Sequence, residues 1–145
     1  MAKVKTHKFI FEEEDIVTFD LIGISSHVPT YKLVWDFNKT LHFELETADT
    51  EFEVYTKKKE IALFPYYFQN QEEDLLSIYL IKNKHNGALL IPELQQIDNF
   101  LFFVNNQVYE MDKVNAALRK MNQTVLASYV FDPNEYPSVR NIIFD

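Results

Sequence analysis

Apolar and polar positions alternate through much of the chain, and in two places the alternation gives way to steps of three and four. Residues 4–11 set Val4, Thr6, Lys8 and Ile10 against Lys5, His7, Phe9 and Phe11, a period of two that suits a half-wetted strand. Residues 17–24 are richer in β-branched and apolar side chains and predict a more buried strand, in which Gly23 would admit a close approach. From Tyr31 onward, Leu33, Val34, Phe37, Leu41 and Leu45 recur at helical spacing, with Trp35 on the flank of the stripe, and predict a helix over residues 28–42. Ser25-Ser26 would open it, since a serine hydroxyl accepts from the free amides of a first turn and Pro29 fits where no donor is needed.

An acidic stretch over residues 48–53 reads as a turn, followed by strands over 61–69, 75–84 and 100–104. Polar residues 70–74 join the first two as a hairpin, which favours antiparallel pairing. Between the second and third strands, Pro92 opens one short helical turn with Glu93 near its positive end. Asp112 is a candidate N-cap for a helix over 112–122, whose stripe is Val114, Ala117, Leu118 and Met121. A strand over 124–131 and a short last one over 141–144 complete the pattern. The expected fold is α+β: a mainly antiparallel sheet of five to seven strands with two main helices packed on one face, a ferredoxin-like core being one version of it.

Composition bounds this picture without changing it. A chain of 145 residues, 47% hydrophobic and 15% aromatic, is read as one domain over residues 1–145 that buries roughly 70% of its unfolded surface. Only two glycines are present, so there is neither a flexible linker nor a glycine-rich phosphate loop. The absence of cysteine excludes disulfides, thiolate metal sites and cysteine nucleophiles. With no signal-like or membrane-length apolar run, a cytoplasmic protein without a membrane partner is expected. The net charge of −8 disfavours nucleic acid, since the clearest basic cluster is Lys57-Lys58-Lys59.

Ile91-Pro92-Glu93, followed after three residues by Ile97-Asp98-Asn99, resembles the uncharacterised bacterial family, found chiefly in Bacteroidetes, named after the pattern Ile-Pro-Glu, three variable residues, Val-Asp-Tyr. Ile97 stands where that pattern has Val, and Asn99 where it has Tyr. Leu21-Ile22-Gly23-Ile24-Ser25, Tyr31-Lys32-Leu33 and residues 35–38 are similar to its N-terminal half, so the likeness spans most of the chain. It implies no assigned activity and transfers no catalytic residue.

The candidate chemistry is tested residue by residue. Glu93 and Asp98 could be paired carboxylates for acid and base work, but such residues beside a proline turn are more often caps. Ser26 and His27 place a hydroxyl beside an imidazole, yet adjacent residues seldom face each other and the Gly-x-Ser-x-Gly elbow is missing. His7, His27, His42 and His85 have no ligand spacing, so neither metal nor cofactor is expected. In the aromatic run 64–68, Phe64, Tyr66 and Phe68 share one face and Tyr67 the other, with Pro65 marking an edge. An edge strand with outward Tyr67 and Tyr79 would then serve self-association. The leading expectation is a small non-catalytic binding or adaptor domain with a protein partner or a second copy. Pro92, Glu93, Asp98, Trp35, Tyr67 and Tyr79 are its candidate residues. The competing expectation is a small-molecule-binding domain or an enzyme using Glu93 and Asp98.

Overall fold

The strand Asn99–Val104 is apolar from Phe100 onward and has no polar face to offer water, and the computed structural model, which describes residues 16–56 and 58–144, buries it on both sides. This strand, β9, lies third in a six-stranded sheet of order β10-β1-β9-β6-β5-β2, in which every neighbouring pair is antiparallel. The other members are β1 (Asp20–Ser25), β2 (Glu46–Thr47), β5 (Tyr66–Gln71), β6 (Leu76–Lys82) and β10 (Ala127–Phe131). Helix α1 (Thr30–Thr40) follows β1, and α2 (Met111–Arg119) joins β9 to β10. The expected α+β architecture, a mainly antiparallel sheet with two helices, is thus the observed one. Numbered in chain order, β1, β6, β9 and β10 are arranged 4-1-3-2, the ordering of a ferredoxin-like core, extended beyond β6 by β5 and β2.

One sheet face carries Ile22, Ile24, Ile78, Leu80, Leu101 and Phe103 and packs against Leu33, Val34 and Phe37 of α1 and Val114 and Leu118 of α2. Burial of each of these large side chains contributes about 1.5–3 kcal/mol. The opposite face carries Leu21, Ile81, Phe100 and Phe102 and, among the described residues, is covered by no α-helix. Its cover is the hairpin of β3 (Phe52–Tyr55) and β4 (Ile61–Phe64), the segment from Leu90 to Ile97, and the C-terminal turns around Val139 and Ile142. Gly23 sits on this face, where an added Cβ would run into the Phe131 ring and lie 3.1 Å from Ile97, so the close approach expected there is real.

Several boundaries differ from expectation for identifiable reasons. The strand expected over 61–69 is two: Pro65 has no N–H to give a ladder, and the chain leaves the β3–β4 pair there to enter the main sheet as β5. The stretch 48–53 is a turn only in part, because Phe52 and Val54 alternate inward as the start of β3. Helix α1 begins at Thr30 after Pro29, while Ser26 Oγ, short of the helix, accepts from the amide of Val28 at 3.2 Å. It ends before His42, whose φ of 58° turns the chain into the left-handed region, so Leu45 joins the same core from outside the helix. Glu110, not Asp112, precedes α2, and Asp112 instead lies in its first turn, facing the positive end. Residues 141–144 form no strand; the 3-10 turn Pro137–Asn141 delivers Phe144 onto the aromatic side chains of the second face. The strand expected over residues 4–11, with His7, lies outside the described residues. A small hairpin, β7 (Lys84–His85) and β8 (Ala88–Leu89), turns at Asn86 and Gly87, both with positive φ.

Candidate functional site

Residues 91–99 are built around a side chain outside them. Asn83 follows β6, is 1% exposed, and donates from Nδ2 to the carbonyls of Leu94 (3.0 Å) and Ile97 (2.9 Å). Its Oδ1 accepts from the amide of Ile91 at 2.9 Å. Its own amide donates to Asp98 O and its carbonyl accepts from Leu90, at 2.9 and 2.7 Å. Both side-chain donors are thereby used, as a buried amide requires. Pro92 occupies the first position of the 3-10 turn Pro92–Leu94, as expected, while Ile91, Leu94 and Ile97 point into the core of the second face.

The two carboxylates of the segment serve different partners. Glu93 accepts from the amide of Ser138 at 2.8 Å, at the start of the C-terminal 3-10 turn. Asp98 accepts from the amide of Ser26 at 2.8 Å, just beyond β1, and its own amide donates to Ile24 O at 3.0 Å. Each therefore ties the segment to a separate stretch of chain through a charge-assisted bond. Asn99, 3% exposed, accepts from the Thr30 hydroxyl at 3.0 Å and so fixes the first residue of α1. Ser26 donates its hydroxyl to Thr124 O, and His27 is exposed beside it.

The aromatic candidates are not brought together. β6 lies between β9 and β5, and β5 between β6 and β2, so neither Tyr67 nor Tyr79 is on an outermost strand. Both are partly buried and on opposite faces: Tyr67 packs against the helix-side core, and Tyr79 against Phe144 at 4.5 Å between ring centroids. The outward edge expected from them does not exist. Among the described residues the sheet ends at β2, which is two residues long and carries Glu46, and at β10, where the Ser128 carbonyl accepts from Arg119 at 3.3 Å and Tyr129 and Val130 are exposed. Phe144 divides two open clefts of about 380 Å³ each, both touching Tyr79. Tyr109 and Tyr136, outside these clefts, have phenol pKa values raised by burial, with the nearby charge of Asp74 adding for Tyr109 and those of Glu135 and Asp132 for Tyr136.

Apolar side chains reach water on α1, on the β3–β4 hairpin and along β10, where Tyr129 and Val130 are exposed with Leu126 just before them. On α1, Trp35 is 66% exposed and Tyr31, one turn earlier, 60%; Lys39 Nζ lies 4.9 Å from the indole centroid and Lys32 is exposed alongside. On the β3–β4 hairpin, Tyr55 is paired across the ladder with Ile61 and Glu53 with Leu63, all four exposed. A single strand running through Pro65 conceals the hairpin face in the sequence, and the alternation from Glu51 to Tyr55 is its one local signal. Asn83 was hidden differently, since its side-chain partners lie eight to fourteen residues downstream. No family model, curated protein or solved structure matches the chain. No helix among the described residues is long and apolar enough to cross a membrane.

Proposed function

We propose that the chain is a small non-catalytic protein-binding domain, an adaptor that engages a partner protein through the outward face of α1. The exposed Trp35 carries this reading. An indole two-thirds in water, with Tyr31 one turn away, is the kind of rigid aromatic anchor that dominates interface energetics. In a chain of net charge −8, Lys32 and Lys39 beside the indole favour a partner whose carboxylates flank an apolar side chain. Likeness to the Ile-Pro-Glu family belongs to the same proposal, with Pro92, Glu93 and Asp98 as its framework residues. The competing reading, a ligand or substrate site at Glu93 and Asp98, draws no support from carboxylates that serve the separate amides of Ser138 and Ser26.

Trp35 is the chain's single tryptophan, so its emission reports this surface directly. Untagged protein isolated gently from its own cells and weighed by native mass spectrometry should carry a second protein. Removing that protein should shift the emission to longer wavelength, and Trp35→Ala should abolish its retention. A chain that emerges bare, or one that retains non-protein mass with unchanged Trp35 emission, would overturn the reading.

A further inference from the structure

The second apolar surface lies on the other side of the sheet and carries its own indication of what covers it. Phe52, Val54 and Phe64 of the β3–β4 hairpin are buried in the second core, which leaves the outward face to Glu53, Tyr55, Ile61 and Leu63. Tyr55 is 59% exposed, Ile61 52% and Leu63 44%, a contiguous apolar strip on a two-stranded sheet. The charges at its two ends are opposite. At the base are Asp49, Glu51 and Glu53, all exposed; at the tip are Lys58 and Lys59, also exposed, within the sequence run Lys57-Lys58-Lys59 that only Glu60 offsets. The face therefore reads acidic, apolar, basic from base to tip.

We infer that this face is the contact between two copies of the chain, related by a two-fold axis through the centre of the strip. Antiparallel apposition lays the apolar strips together and sets the lysine tip of each hairpin over the acidic base of the other. A parallel arrangement would oppose like charges at both ends. Such a face is self-complementary, as an isologous contact requires. Elsewhere the net charge of −8 sets copies to repel one another. Two four-residue strands give a contact at the small end of the specific range, so the dimer is weak, with a dissociation constant on the order of 10–100 μM. Its charged ends make it salt-sensitive. The dimer leaves both α1 faces free, so the adaptor would present two partner sites.

Sedimentation velocity on the full chain tests this. The expected result is a concentration-dependent dimer that weakens about tenfold between about 50 mM and about 500 mM salt. Leu63→Glu should leave a monomer. The double variants K58E/K59E and E51K/E53K should each be monomeric alone and form a dimer when mixed, because every reversed tip then meets a reversed base. Trp35→Ala should dimerise like the unaltered chain, which separates this contact from the one proposed on α1. A chain monomeric throughout the micromolar range, a dimer indifferent to these substitutions or lost on Trp35→Ala, or folded reversed variants that fail to pair on mixing would each overturn it.

Discussion

The Leu90–Ile97 segment and the β3–β4 hairpin cover the same face of the sheet and share one core, yet they treat their side chains in opposite ways. The first bonds its polar groups to the chain around it: the Asn83 side chain holds three of its backbone groups, and Glu93 and Asp98, themselves exposed, accept from the amides of neighbouring segments. The second turns Tyr55, Ile61 and Leu63 outward and draws its stability from Phe52, Val54 and Phe64 beneath. Side chains that suggest chemistry thus do structural work, while a plain alternating strand exposes the surface available for contact. Hydrogen bonding to other stretches of chain, not residue type, separates the two roles.

The comparison is broken most severely at Asn83. Asn83→Ala strands the Ile91 amide and the Ile97 carbonyl inside the protein and leaves the Leu94 carbonyl only the Ile97 amide, and should cost about 3 kcal/mol. In urea the unfolding midpoint should fall while the slope stays the same. Asn83→Asp keeps the shape but replaces the donor by an acceptor facing two carbonyls, so it should be no milder. A loss under about 1 kcal/mol for either would show that water or a local shift rescues the segment, and that Asn83 is not its organiser.

A smaller effect separates structural from chemical roles for the acids. Asp98→Ala removes a charge-assisted bond to the Ser26 amide and should cost about 1.5–3 kcal/mol, whereas Asp98→Asn, still able to accept from that amide, should retain most of the stability. Glu93→Ala should cost about 1 kcal/mol, since it frees the start of one short 3-10 turn. If both alanine variants were as stable as the unaltered chain, the carboxylates would have no structural reason to be there and the ligand reading would regain ground. Thermal unfolding of the four proteins, with Glu93→Gln included, decides it.

How much of this was legible depends on how local the cause is. Helix α1 could be read because Leu33, Val34 and Phe37 are a stripe whose spacing is itself the cause of burial. The turn at Pro92 was legible because proline fixes its own φ, and the β5–β6 hairpin because polar residues join two apolar runs. Gly23 was legible as a close approach, but not which ring approaches it. What could not be read depends on distant partners. Nothing near Asn83 in the chain marks the segment it will hold, and the separate destinations of Glu93 and Asp98 follow from the placing of Ser138 and Ser26. Tyr67 and Tyr79 misled because alternation assigns a side chain to a face but does not say which strands flank it or what covers it.

The smallest expected effect tests whether the hairpin keeps a feature that stability alone would not choose. Lys59 closes the β3–β4 turn with φ at 61°, its amide donating to Thr56 O at 3.0 Å, a position where glycine adopts the same backbone without a Cβ penalty. Relief of that strain is partly offset by the greater freedom of glycine in the unfolded chain, so Lys59→Gly should stabilise by only about 0.5 kcal/mol. The same change removes a tip charge and should weaken the dimer severalfold at low salt while leaving it unchanged at high salt. Stability and association would then move in opposite directions at one residue, which is the signature of a position retained for contact. Were both to rise together, the tip charge would have no part in pairing, and the outward face would be held by Tyr55, Ile61 and Leu63 alone.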